Sequence, residues 1–172
     1  MKLLDFVDNI APFEEAAKHI DKLSRKEVII FYPGSAGDLL HPLLYAELCF
    51  KEVKKIILHL VDPELFGYDP TFDMQKYLGN IAIKKSGNIF SSPTLDVHVN
   101  INDVFIDDVF PKRIDLYFER AFDLWTSKHP TFHEKIVSLT NGFLISDAKA
   151  LTENIVHVHE SIGFYGKVYV CR

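Results

Sequence analysis

The 172-residue sequence predicts a doubly wound α/β fold, a mostly parallel sheet finished by a C-terminal antiparallel hairpin. Three observations carry that prediction. Residues 28–32 and 56–61 are continuous apolar runs rich in β-branched and aromatic side chains, as strands covered on both faces must be. A glycine-containing turn and a helical pattern (Leu39, Leu40, Leu43, Leu44, Leu48) separate them, so the two strands need a crossover and run parallel. The last two strand-like runs, 155–159 and 164–171, have only residues 160–163 between them, a gap that suits a hairpin.

Along the chain, residues 1–24 repeat apolar side chains at helical spacing, and Pro12 divides them into two short helices. After the first strand, helix, basic turn (51–55) and second strand, prolines at 63, 70 and 93 punctuate a segment with a short helix at 71–78. Ile81-Ala82-Ile83 reads either as a short strand or as loop. Leu95, Val97, Val99 and Ile101 alternate with polar residues and predict a third strand stopping at Asn102-Asp103. A fourth strand spans 114–118. A polar stretch to Lys128 follows, then a helix opened by His129-Pro130 that contains Phe132, Ile136, Val137 and Leu139 and is stopped by Asn141-Gly142. A fifth strand at 142–147 and a short helix at 148–154 lead into the hairpin.

The composition, 48% hydrophobic and 25% charged, is that of a folded globular chain, expected as one domain over 1–172 with 1–24 as its helical N-terminal segment. A net charge of -5 disfavours nucleic acid as the dominant partner, and a small-molecule ligand stays open. Cys49 and Cys171 lack the spacing of a metal or redox motif. Asp5 and Asp8 interrupt the N-terminal apolar run, so no leader is read there, and no run approaches the roughly 18 apolar residues of a membrane helix. A cytoplasmic protein is the expectation. The oligomeric state stays open.

The first turn, Tyr32-Pro33-Gly34-Ser35-Ala36-Gly37-Asp38, is the candidate site. Gly34 and Gly37 permit backbone angles closed to other residues and let a ligand approach the main chain, and Asp38 can cap the following helix. A carboxylate there repels a diphosphate and suits a ligand with a positive centre. An ordinary strand-to-helix turn is the alternative. Asp62, ending the second strand, fits an acceptor for ribose hydroxyls or a turn before Pro63. Glu119 and Asp123, with Arg120, follow the fourth strand and read as an acid/base pair or, in preference, as a solvated loop. His41 stands near the turn, with a packed or capped role preferred. His157 and His159 share a strand face, but without a third ligand beyond Glu160 no metal site is expected.

The order of these features resembles class I S-adenosylmethionine-dependent methyltransferases. The likeness covers residues 26–172: the turn, the helix and Asp62; Val99-Asn100-Ile101-Asn102-Asp103 as third strand with its acid; Ile114-Asp115-Leu116-Tyr117-Phe118 as fourth; Leu139 to Ile145 as the helix-to-fifth-strand junction; and the final hairpin as sixth and seventh strands. The glycine loop is degenerate. Tyr32 stands where the family has an acid, Ala36 at its second glycine and Asp38 at its third, while Gly34 matches and Gly37 is displaced.

The resemblance implies a Rossmann-like fold and S-adenosylmethionine as cofactor, held by Tyr32, Gly34, Ser35, Ala36, Gly37, Asp38 and Asp62, with Asp103 beside the adenine amino group. Asn102-Asp103 also reads as a plain strand stop. The site is expected at the carboxyl edge between the first and fourth strands, and Gly34→Val is expected to block it while leaving the fold largely intact. The family's acid-proline-aromatic motif is absent from Phe118-Glu119-Arg120-Ala121-Phe122, which disfavours an amide or nucleobase acceptor. A methyltransferase-like protein is therefore expected. The alternative is a non-catalytic module that kept the fold. A nucleotide-binding enzyme of another kind is opposed by Asp38 and by the lack of a P-loop lysine.

Overall fold

The N-terminal apolar pattern folds as a 3-10 turn, Leu3–Phe6, and helix α1, Ala11–Ala16. Pro12 lies in the first turn of α1, where its missing N–H breaks no helical bond. The computed structural model of the protein describes residues 3–160 and 166–172, with Asp123 and Leu124 described as backbone only.

The chain continues through β1 (Leu23–Ser24), β2 (Glu27–Pro33), α2 (Leu40–Cys49), β3 (Phe50–Lys51), β4 (Lys55–Val61), a 3-10 turn (Pro63–Leu65) and α3 (Thr71–Leu78). Next come β5 (Lys84–Ser86), β6 (Ile89–Ser91), β7 (Leu95–Asn100), β8 (Ile114–Glu119), α4 (Asp123–Thr126) and α5 (Phe132–Leu139). Last are β9 (Thr140–Ser146), β10 (Ile155–Glu160) and β11 (Lys167–Cys171).

Among the described residues nine strands form one sheet in the order β10-β11-β9-β8-β2-β4-β7-β6-β5. The five central strands, β9 to β7 in that order, are parallel to their neighbours. Both margins are antiparallel: β11 and β10 on one side, β6 and β5 on the other. Strand order reverses at β2, which has β4 on one side and β8 on the other, so the connections leaving these strands part at its carboxyl end. The turn of Gly34 occupies that point.

Alternation along β2 divides the core. Ile30 packs with Leu43, Leu58, Leu60 and Leu116 on the face covered by α2. Phe31 joins Tyr117, Phe132, Ile136 and Leu144 on the face covered by α5. Burying each such side chain contributes about 1.5–3 kcal/mol, which explains the unbroken apolar runs of the central strands.

The structure departs from the sequence reading in several places. Residues 81–83 take the loop alternative, but the following β5 and β6, joined through Gly87 at φ +59°, have no counterpart in that reading. The all-exposed β5 (Lys-Lys-Ser) carries no apolar alternation to reveal it. Residues 148–154 are not a helix. Ser146 Oγ accepts the Ala148 amide at 3.2 Å, drawing the backbone into a bend instead of a helical ladder. Nor does Gly142 stop a helix: α5 ends at Leu139, and Gly142 lies within β9 where the ladder with β8 slips between Ile114 and Leu116. A β-carbon at Gly142 would collide with the Asp115 carbonyl. The short α4 lies in the stretch read as polar loop. Residues 161–163 of the hairpin turn, and Phe164 and Tyr165 of its second strand, lie outside the described residues.

Candidate functional site

The turn after β2 takes a conformation that L side chains rarely adopt. Gly34, Ala36 and Gly37 have φ of +61°, +45° and +80°. For Ala36 this left-handed angle carries a strain of about 1–2 kcal/mol. The turn is tied on both sides. Gly34 N–H donates to the Val61 carbonyl at 2.9 Å and Asp38 N–H to the Ser35 carbonyl at 2.9 Å.

Asp62 is brought to the same place. Its carboxylate accepts the Ala36 amide at 3.1 Å through Oδ2 and the Glu64 amide at 2.8 Å through Oδ1, capping the 3-10 turn at Pro63–Leu65. Both readings of Asp62 thus meet in one group. It makes the turn before Pro63, and it holds the candidate loop.

Asp38 also bonds the start of α2, accepting the His41 amide at 3.3 Å, but its charge is committed within the chain. Its oxygens lie 3.0 and 3.1 Å from His41 Nδ1, and Oδ2 lies 3.3 Å from Arg120 Nη1, itself 2.7 Å from His41 Nδ1. Burial acts to raise the Asp38 pKa, but the His41 hydrogen bonds and the His41 and Arg120 charges together outweigh it and hold the carboxyl below its usual range. Tyr32, buried beside this group, has its hydroxyl 3.5 Å from Asp38 Oδ2, and burial pushes its pKa up. The positive centre that a ligand was expected to bring to Asp38 is therefore already supplied by the Arg120 guanidinium.

Ser35 lies at the heart of the turn, 1% exposed, and its hydroxyl finds no hydrogen-bond partner among the described residues. Asp103 sits in the turn after β7, where its carboxylate accepts the Phe105 amide at 2.9 Å and its own amide donates to Asp107. That turn delivers Phe105, whose ring stacks on Phe122 at 5.5 Å.

Phe122 is the residue that sequence reasoning missed. A β-carbon at Gly34 would stand 2.6 Å from its ring. Tyr68 does the same at Gly37, where a β-carbon would stand 2.9 Å from its ring, and the Tyr68 hydroxyl lies 2.8 Å from the Gly37 carbonyl. The glycines thus admit the chain's own aromatic rings. Gly34→Val would therefore strain the backbone and displace Phe122, a local cost that the expectation of a largely intact fold left out. Ala121 aims Phe122 through a φ of +52°, for which an alanine gives no sequence signal.

Glu119 is not part of a solvated loop. It is 1% exposed, and its carboxylate accepts from Tyr117 Oη at 2.6 Å, Ser146 Oγ at 2.6 Å and His133 Nε2 at 2.9 Å. The side chain of Asp123 lies outside the described residues. His159 is buried against the Tyr45 hydroxyl at 2.8 Å, and His157 stacks on His19 at 4.8 Å. No group of three or more potential metal ligands occurs among the described residues. No helix among them is long and apolar enough to cross a membrane.

Two open cavities lie at opposite ends of the sheet. One of about 830 Å³ lies at the amino end, with Leu43, Phe50, Ile56, Tyr77 and Leu95 in its walls. Another, of about 460 Å³, lies at the carboxyl edge between the loop after β7 and the start of α5. None of the turn residues 32–38 lines either one.

No family model matches the chain, and no curated protein matches it. Solved structures do. It is similar to MNMC2 from Aquifex aeolicus, with 20% identity and a TM-score of 0.51 over 92% of this chain and 55% of that one. The chain thus spans about half the length of that protein. It is also similar to a SAM dependent methyltransferase from Aquifex aeolicus, with 13% identity and a TM-score of 0.51 over 99% of this chain and 96% of the other. These likenesses show the fold, the Rossmann-like fold of class I methyltransferases.

Proposed function

We propose that the chain binds S-adenosylmethionine or its demethylated product at the turn between β2 and α2, as a methyltransferase or a diverged relative of one. The observation that carries this reading is the Ser35 hydroxyl, buried without a partner among the described residues at the point where strand order reverses. An unsatisfied buried hydroxyl costs about 1–3 kcal/mol, which a hydrogen bond to a ligand offsets. Beside it Asp62, beyond its two amide donors, keeps acceptor capacity for the ribose hydroxyls of a nucleoside.

When bound, the cofactor supplies an electrophilic methyl group on a sulfonium centre. The protein's part is to hold that group in line with an acceptor, work that needs few reactive side chains. The acceptor class is left open by these residues. Calorimetric titration of the purified protein with S-adenosylmethionine and S-adenosylhomocysteine tests the reading, with saturable binding expected and weakened in Asp62→Ala.

A second reading is favoured by the Phe122 and Tyr68 rings against Gly34 and Gly37: a non-catalytic module whose own side chains fill the crevice. Absence of binding by both the parent and Phe122→Ala would establish it. Binding gained only in Phe122→Ala would identify Phe122 as a plug over a site that is otherwise retained.

A further inference from the structure

We propose that the cavity of about 830 Å³ at the amino ends of β4 and β7 binds a small amphipathic anion from solution, an acyl or aryl carboxylate or sulfonate. Its volume falls within the roughly 300–1,000 Å³ of small-molecule sites. The cavity stands at the end of the sheet opposite the turn of Gly34, so its ligand is separate from the cofactor.

The walls set the body of the ligand. Buried Phe50, Ile56 and Leu95 form an apolar floor, and half-buried Val53, Leu78 and Ile81 bring apolar side chains to the rim. Val53 lies on the connection between β3 and β4, while Leu78 ends α3 and Ile81 follows it. Two connections thus meet across a space that neither fills, and an apolar body entering it takes both rims out of water.

Charge sets its head group. In a chain of net charge -5, Lys22, Lys51 and Lys54 line this one cavity. The Lys51 and Lys54 ammonium groups have no ion-pair or hydrogen-bond partner among the described residues, and Lys22 Nζ donates to a carbonyl, that of Glu47, at 2.8 Å. The two acids of the wall are engaged otherwise. Glu52, on a backbone held at φ +65°, accepts the Ser24 hydroxyl. Glu47 makes no ion pair among the described residues, and burial, the largest influence on it, raises its pKa and so disfavours its charged form. A carboxylate or sulfonate therefore finds ammonium groups on flexible stems at the mouth, while its apolar tail lies over the floor. A cationic amphiphile of the same shape meets repulsion there.

The test uses the full chain and no S-adenosylmethionine, so its outcome is separate from that of the cofactor reading. The probe is anilinonaphthalene sulfonate, an aryl sulfonate whose fluorescence rises in apolar surroundings. Saturable binding is expected, displaced by decanoate and not by decyltrimethylammonium, which pairs a similar chain with the opposite charge. Lys51→Gln with Lys54→Gln should weaken binding about tenfold, the effect of losing two exposed ion contacts, with an unchanged melting temperature. Ile81→Ser, which removes apolar surface from the rim, should weaken it about fivefold. Lys112→Gln with Lys149→Gln, an equal change of charge on exposed residues outside the cavity, should leave it unaffected. Equal displacement by the two decyl compounds, equal loss in the two lysine pairs, or sedimentation with phosphatidylglycerol vesicles that depends on Lys51 and Lys54 would overturn the proposal.

Discussion

The ring of Phe122 is seated against the main chain of Gly34, so that a β-carbon on Gly34 would stand 2.6 Å from its Cδ2 and 2.8 Å from its Cε2. Two penalties therefore meet at one position. Gly34→Ala must accept a left-handed φ of +61°, about 1–2 kcal/mol, and must also displace the ring. The expected loss is roughly 2–4 kcal/mol by urea denaturation. Adding Phe122→Ala to Gly34→Ala relieves the ring contact alone, so the double variant should lose less than the two single losses summed. Strict additivity would show that the ring does not press on the turn.

Asp62→Ala removes the acceptor for two backbone amides, those of Ala36 and Glu64. A loss of about 2–3 kcal/mol is expected, since a carboxylate bonds amides more strongly than a neutral acceptor does. Asp62→Asn keeps one carbonyl oxygen and should recover part of it. Hydrogen exchange at Ala36 gives the local readout: faster exchange is expected in Asp62→Ala, and an unchanged rate would mean the tether does not hold the turn.

Glu119→Leu would leave the Tyr117 hydroxyl, the Ser146 hydroxyl and His133 without their common acceptor. Breaking such a buried network costs about 3–5 kcal/mol. Glu119→Gln, of equal shape, should cost less. Thermal denaturation that ranks the glutamine variant below the leucine variant would contradict the arrangement.

His59 on β4 and His98 on β7 are paired across the ladder with ring centroids 4.5 Å apart. Burial, and after it the neighbouring His98, bring the His59 pKa from the usual 6.5 down to about 4. The unfolded chain therefore takes up a proton at a higher pH than the folded one. The stability this group contributes is complete above about pH 6.5 and is lost as pH falls toward about 4, by about 3 kcal/mol at most. Urea denaturation should show a smaller fall across that window in His59→Gln than in the parent. Equal falls would place the acid sensitivity elsewhere.

The central strands were legible because burial on both faces demands unbroken apolar runs, and Val28 to Tyr32 and Ile56 to Val61 provide them. The turn and Asp62 were legible because glycine and a strand-terminal acid have local meanings. Phe122 and Tyr68 were not, since a ring reaching a glycine from another loop leaves no pattern in sequence. The same holds for Glu119, whose three donors come from β8, β9 and α5. Gly142 was misread because a glycine after a helix ordinarily ends it, whereas here close passage of two strands requires it.

The hairpin of β5 and β6 has a further consequence for how the protein behaves in concentrated solution. Without it the sheet would end at β7, a six-residue strand with a free row of amides and carbonyls ready to pair with another chain. Instead the outermost strand on that side is three residues long, has all three residues exposed, and begins with Lys84 and Lys85. The opposite border, β10, is interrupted by a bulge between Ile155 and His157. Repulsion guards one border and irregular pairing the other, so the sheet is a poor template for edge-to-edge stacking into fibrils.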